Sequence, residues 1–359
     1  MRSFAVTILT LLMCSTSFAN ERYIFSYENL NQLKNSIHRN GGAVIKDLRN
    51  SGSVAANVSE RTLNLLEREF GNALFFEKDV VYSTNGRPGS GTLAQPAQSV
   101  PWGINRIGAL TAHISSRGAG VKVCVVDTGV DLDHPDLQQN IIGGINTINP
   151  RKSADDDNGH GTHVSGTIAA LDNAIGVVGV APEAKIFAAK GLDRQGVGWS
   201  SDLAEGIYEC IYKGTQVVNM SWGSSSPSTT IYNALVAAHN AGLVLVASAG
   251  NESSSVGYPA AFAEVLAVSA VDSNMQLAYF SNYGPEIAYA GPGVGINSTF
   301  KGGTYRVYNG TSMASPHVAG VAALWLSSGS LGMVAEDIGL SPWYQGNGLI
   351  DADATVINF

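Results

Sequence analysis

VKVCVVDTGVDLDHPDL, residues 121–137, opens with a continuous apolar, β-branched run that stops at an aspartate. Similar runs recur at residues 217–220, 243–247 and 265–268. Between and after them, residues 163–171, 201–213, 231–240 and 311–327 space their apolar side chains at helical period. A strand that is apolar at every position is buried on both faces. Such strands alternating with helices predict an α/β fold with a doubly wound parallel sheet. In that architecture Asp127 falls at the carboxyl end of a strand, where such sheets place their ligands.

Upstream the pattern changes. Residues 21–82 carry dense mixed charge, short apolar runs at 22–27, 43–48 and 73–76, and two helical segments, 30–38 and 60–70, the second opened by Ser59 as a cap. This predicts a small α+β domain. Residues 83–96, STNGRPGSGTLAQP, have a linker composition. Residues 1–19 have one basic residue, an apolar run from Phe4 to Met13 and small residues before a cleavage point after Ala19, as in a signal peptide. Met13 before Cys14 argues against a lipoprotein signal. No later stretch supplies some 18 uninterrupted apolar residues, so no stable membrane anchor is expected, and the protein should be secreted or periplasmic.

Composition narrows the function. With 21 basic against 29 acidic residues the net charge is −8, which disfavours nucleic acid as a partner. The 41 glycines show no collagen period, and 45% hydrophobic residues are too many for a disordered chain. Three cysteines with no Cys-x-x-Cys pair offer neither a disulfide scaffold nor a zinc ribbon.

Three segments carry chemistry. Asp127 in D-T-G reads as a turn cap, as a catalytic carboxylate, or as an aspartic-peptidase motif; the last needs a second carboxylate sharing its proton, and no second D-[ST]-G occurs. In DDDNGHGTHVSGTIAA (155–170), His160 opens a helix and His163 follows one turn later, without the glutamate or third ligand of a zinc peptidase. In YNGTSMASPHVAG (308–320), Ser312 starts a helix after a glycine turn, with Pro316 still in its early turns. Ala314 separates it from the G-x-S-x-G elbow.

Together these blocks resemble the subtilisin-like serine peptidases, and the similarity runs from about residue 97 to about residue 354. The resemblance implies a serine endopeptidase in which Asp127 orients His160, His160 is general base and then acid, and Ser312 is the nucleophile. It implies that Asn251, in SAGNE, holds the oxyanion with the Ser312 backbone N–H. Gly196, Val197 and Gly198 would form the edge segment that pairs with extended substrate, Ser221, Trp222 and Gly223 one wall of the first specificity pocket, and Gly257 its base. Trp222 and Trp199 suit apolar pockets or core packing. Ser224–Ser226 after Ser-Trp-Gly argue against dibasic specificity, although Asp155–Asp157 and Glu252 would favour a basic residue nearby. Gln98, Asp136, Leu171, Asn173, Ile175 and Val177 match a structural calcium site built from one carboxylate, amides and backbone oxygens.

By the same resemblance residues 20–82 are a propeptide that inhibits the enzyme and assists its folding, 97–359 are the catalytic domain, and the mature enzyme is a monomer acting on polypeptides. Cleavage after Tyr82 or within residues 92–95 followed by trimming is compatible with the sequence. A non-catalytic binding protein on this fold, and an acyl-enzyme transferase or macrocyclase, remain the competing functions. Cys124 and Cys210 either pair or stay as buried thiols.

Overall fold

The computed structural model describes residues 20–358 apart from Asn85. The expected signal segment and Cys14 lie outside the described residues. The chain divides into two compact units. The first has the element order β-α-β-β-α-β. Its four strands lie in the order Ala43–Leu48, Ser53–Val58, Glu21–Ser26, Phe75–Lys78, with helices at Leu30–Arg39 and Glu60–Phe70. Both helices are capped by side chains: Asn29 accepts from the Gln32 N–H and Ser59 from the Thr62 N–H. Phe25, Leu33, Ile37, Val54, Leu66 and Phe70 form its core. The predicted α+β unit is present, with both helices within a residue of expectation.

The second unit is built on a nine-stranded sheet. From one edge the strands are Val334–Glu336, Leu349–Asp351, Ile287–Pro292, Leu266–Val271, Val244–Ser248, Val217–Met220, Lys122–Asp127, Lys185–Lys190 and Ile141–Asn146. All neighbours pair in parallel except the first two. Strand Lys122–Asp127 explains the continuous apolar run. Val123 and Val125 enter one core with Val164, Ile168 and Val318, while Cys124 and Val126 enter the other with Leu203, Ile207 and Leu235. After this strand the chain builds outward to one side, then crosses to Val217–Met220 on the other. The carboxyl ends of these two strands are therefore the switch point of the sheet, the crevice where ligands bind.

Cys124 and Cys210 form a disulfide, with their Cα atoms 5.7 Å apart, which joins the strand of Asp127 to the helix Ser200–Tyr212. Of the two states the sequence left open, the structure has the bridge.

Residues 83–96 differ from the expected linker. They contribute to two strands, Val81–Thr84 and Arg87–Leu93. Both are held by main-chain pairing on neighbours, which composition does not report.

His163 and His317 are fully buried. His163 Nε2 faces the carbonyls of Ile296 and Arg306 at 3.1 and 3.0 Å, and His317 Nδ1 that of Met313 at 2.8 Å. Burial, with a contribution from nearby His160, depresses His163 to about 3; burial depresses His317 to about 4. Both lie below the 6.5 of an exposed histidine, so the unfolded chain takes up these protons first. Each therefore contributes stability that is complete above pH 6.5 and lost as the pH falls toward 4, at up to about 1.4 kcal/mol per pH unit. Carboxylates titrate in the same range, so the informative comparison is between variants. In the Ser312→Ala background, the stability gap between the parent and His317→Gln should narrow steadily from pH 6.5 to 4.5 in denaturant titrations. A gap that stays constant contradicts the assignment.

Candidate active site

Asp127 ends its strand fully buried, and its Oδ1 accepts from the Thr128 N–H at 2.7 Å and from His160 Nδ1 at 2.8 Å. With Nδ1 donating to the carboxylate, His160 Nε2 is left as the basic nitrogen, and it has no hydrogen-bond partner among the described residues. His160 begins the helix His160–Ala169. Gly159 precedes it at φ 111°, with the Phe300 ring where a Cβ would sit, so only glycine fits this turn.

A buried carboxylate fastens that helix to the aspartate strand. Asp156 Oδ1 accepts from the N–H groups of Asn158 and Gly159 and from Thr128 Oγ1. Its Oδ2 accepts from the Thr162 N–H and hydroxyl. Burial pushes this carboxyl upward, and the five donors work against that shift. Thr128 Oγ1 also accepts from the Gly161 N–H at 2.9 Å. Buried Lys190 donates to the Thr128 carbonyl, to the Leu192 carbonyl and to Asp157 Oδ1. The peptide that holds the Asp127 carboxylate is thus clamped through its N–H, hydroxyl and carbonyl. Residues 155–157 were read from sequence as favouring a basic residue nearby; of these, Asp156 has this internal role instead.

Ser312 lies in the first turn of the helix Thr311–Ser328, and its hydroxyl donates to the Ser221 carbonyl at 2.8 Å. Ser221 Oγ returns a bond to the Ser312 carbonyl at 3.0 Å. Rotation about one side-chain bond would redirect the Ser312 hydroxyl. Asn251 follows the strand Val244–Ser248, and its Oδ1 accepts from the Thr311 N–H and hydroxyl. This fixes the orientation of the amide, with its NH₂ on the side away from Thr311.

The cleft contains a segment of this same chain. Strand Val81–Thr84 lies antiparallel between Val197–Trp199 and Trp222–Gly223, pairing Ser83 with both Val197 and Gly223. The Thr84 N–H donates to the Gly196 carbonyl at 2.9 Å. Tyr82 is fully buried, its ring edge-on to Trp222 at 5.2 Å and its hydroxyl donating to the Ser226 carbonyl. Trp222 serves core and pocket at once, since its indole also donates to the Val126 carbonyl. Further along, a Cβ on Gly86 would stand 2.7 and 2.8 Å from His160 Cδ2 and Nε2. Arg87 donates to the Asn251 carbonyl, and strand Arg87–Leu93 pairs with Thr304–Asn309. Before the cleft, Asp79 accepts from the Ser200 and Ser201 hydroxyls and the Ser201 N–H, capping the helix Ser200–Tyr212. Sequence reasoning missed this threaded segment, because main-chain pairing leaves no mark in composition.

Beside the Ser83 position a cavity of about 500 Å³ is lined by Gly223, Ser224, Gly257, Tyr258, Asn282 and Glu286. A Cβ on Gly257 would come within 3.2 Å of the Ser224 carbonyl, so glycine keeps the cavity open.

The six residues expected at calcium also come together. Residues 96–99 run along the loop 171–177 through bonds from Gly176 N to Pro96 O, Gln98 N to Ala174 O and Ser99 N to Gly176 O. The Leu171 N–H donates to the Asp136 carbonyl. Asp136 is fully buried without an ion pair among the described residues; it accepts from the Asn173 amide and the Val177 N–H, and burial pushes it up to about 6. One uncompensated buried carboxylate among amide and carbonyl oxygens fits a hard cation. The Gln98 and Asn173 amides turn their nitrogens toward Asp172 and Asp136, and a half-turn of each would present oxygen instead.

Comparison with known proteins accords with this arrangement. Residues 118–338 match the model of the subtilase family. A thermostable alkaline protease from Halalkalibacterium halodurans is 48% identical over 268 residues, 71% of this chain and 73% of that protein. Subtilisin Savinase from Lederbergia lenta is 46% identical over 270 residues, 72% of this chain and 99% of its own length. Subtilisin J from Geobacillus stearothermophilus is 41% identical over 341 residues, 89% of this chain and 85% of its own. With a buried Asp–His pair at the switch point of the sheet and most of its length shared with these enzymes, the chain belongs to the subtilase family and is a serine endopeptidase.

Proposed function

We propose that the protein is an exported endopeptidase made as a self-processing zymogen, with Asp127, His160, Ser312 and Asn251 as its catalytic residues. One observation carries the reading: the His160 ring is bonded to Asp127 through Nδ1 while Nε2 faces Gly86 of the segment in the cleft. His160 Nε2 takes the Ser312 proton as Oγ attacks the scissile carbonyl. Asp127 holds the ring in this tautomer and stabilises the imidazolium. The Asn251 NH₂ and the Ser312 N–H stabilise the oxyanion; losing such a side-chain donor costs on the order of 10²–10³ in rate, a figure known from a subtilisin. The imidazolium then protonates the leaving amine, and water repeats the sequence on the acyl-enzyme.

The residue lying against Nε2 supplies the leaving amine. For the chain itself that residue is Gly86, so the bond broken is Asn85–Gly86. This moves the boundary of the pro-segment from residue 82 to residue 85, and residues 86–96 become the start of the processed enzyme. Until that cut is made and the segment leaves, Val81–Thr84 blocks the cleft as an intramolecular inhibitor. Export is supported by the leader-like residues 1–19, and no helix among the described residues is long and apolar enough to cross a membrane.

Gln98, Asp136, Leu171, Asn173, Ile175 and Val177 would hold calcium, which supplies the missing counter-charge to Asp136. Bound there, it would tie residues 96–99 to the loop 171–177.

The wild-type chain should shed its N-terminal segment and expose Gly86 on N-terminal sequencing, while Ser312→Ala keeps its N-terminal segment through residue 85. Gly86→Leu should slow this cut at least tenfold and, once processing is complete, leave hydrolysis of an added peptide unchanged. Identical behaviour of wild type and Ser312→Ala would refute self-processing. Chelation should lower the thermal midpoint of Ser312→Ala by about 10 °C, as expected for a ligand worth some 4 kcal/mol. Asp136→Asn should abolish that response; an undiminished response would remove Asp136 from the calcium site.

A further inference from the structure

Asn282 is a buried residue that lies 31 positions from Asn251 and belongs to none of the motifs above. Its side chain uses its full hydrogen-bonding capacity on a single loop, residues 249–254. Its Oδ1 accepts from the N–H groups of Glu252 at 2.9 Å and Ser254 at 3.0 Å. Its Nδ2 donates to the Ala249 carbonyl at 3.1 Å and to Glu252 Oε2 at 2.8 Å. Its backbone N–H donates to the Gly250 carbonyl at 2.9 Å. Backbone N–H groups can only donate, so the orientation of the amide is unambiguous.

The link to the reaction runs through Glu252. The Oε2 atom held by Asn282 also accepts from the Asn251 N–H at 2.9 Å. Asn251 is therefore gripped from two sides: its main chain by Glu252 and Asn282, its side-chain oxygen by Thr311. A Cβ on Gly250 would overlap Asn282 Nδ2, so the amide fills the space beneath the loop. We infer that Asn282 is a positioning residue for the oxyanion-binding Asn251, setting the loop so that the Asn251 amide meets charge that develops only in the transition state. The inference rests on the oxyanion role of Asn251 proposed above.

An oxyanion donor acts in the transition state and not on bound substrate, so displacing it lowers kcat with little change in KM. Displacement by about 1 Å can cost on the order of 10² in rate. Residues that act as a unit are non-additive, whereas independent structural defects multiply.

The test is a double-mutant cycle on the processed enzyme, with concentrations fixed by active-site titration. Asn282→Ala should lower kcat about 10- to 100-fold with KM within about threefold of wild type. In an Asn251→Ala background the same change should lower kcat less than about twofold. Asn282→Asp preserves the side-chain volume and the two acceptor bonds but turns an oxygen toward Glu252. It should show the same pattern, which separates the effect from a packing defect. Equal fold-losses in both backgrounds, or an effect confined to KM, overturn the role of Asn282 alone. Undiminished kcat in Asn251→Ala overturns the oxyanion role itself, and this inference with it.

Discussion

The bond between His160 Nδ1 and Asp127 Oδ1 joins the end of a sheet strand to the beginning of a helix, and much of the molecule serves to hold those two places together. A buried carboxylate accepting from an imidazole is useful only in a fixed geometry, because desolvation penalises any misalignment. The structure supplies that geometry redundantly. Asp156 gathers the N-terminal N–H groups of the His160 helix and the Thr128 hydroxyl, Lys190 holds the Thr128 carbonyl, and the Cys124–Cys210 bridge secures the strand three residues before Asp127. The parallel sheet contributes by placing the ends of Lys122–Asp127 and Val217–Met220 side by side at its switch point.

The cleft that holds Val81–Thr84 follows from the same arrangement. Trp222 follows the second of those strands, and its indole is bonded to the carbonyl of Val126, next to Asp127. The pocket that buries Tyr82 is thereby built from the same core that seats the aspartate. Main-chain pairing with Val197–Trp199 and Trp222–Gly223 sets the direction of any extended chain in the cleft. Val81–Thr84 occupies it, and Gly86 lies beside His160. The Asp79 cap on the helix Ser200–Tyr212 extends these interactions beyond the cleft.

The layers of the fold were legible in the sequence because burial on both faces writes itself as an uninterrupted apolar run, as in residues 121–126. The placement of Asp127, His160 and Ser312 at element boundaries was legible because each lies in a distinctive block. Three things were not. The strands Ile141–Asn146, at the edge of the large sheet, and Thr304–Asn309, in the middle of a three-stranded one, mix polar and apolar residues and left no clear period. The threaded segment 81–93 is held by backbone pairing, to which composition is blind, and was read as a linker. Asp156 and Asn282 look like surface residues, since a polar side chain satisfied by backbone N–H groups across the fold leaves no trace in its neighbours. The cysteine pair was undecidable from spacing alone and required the strand and helix to be placed.

The most direct measurement of the central claim is the rate and position of covalent labelling by a fluorophosphonate, which reports the nucleophile and its base without a substrate. The account predicts one adduct, on Ser312, in the processed enzyme, with labelling slowed on the order of 10³–10⁴ by Asp127→Asn, which leaves His160 in the wrong tautomer. An adduct on another residue, or labelling of Asp127→Asn at the wild-type rate, would contradict it.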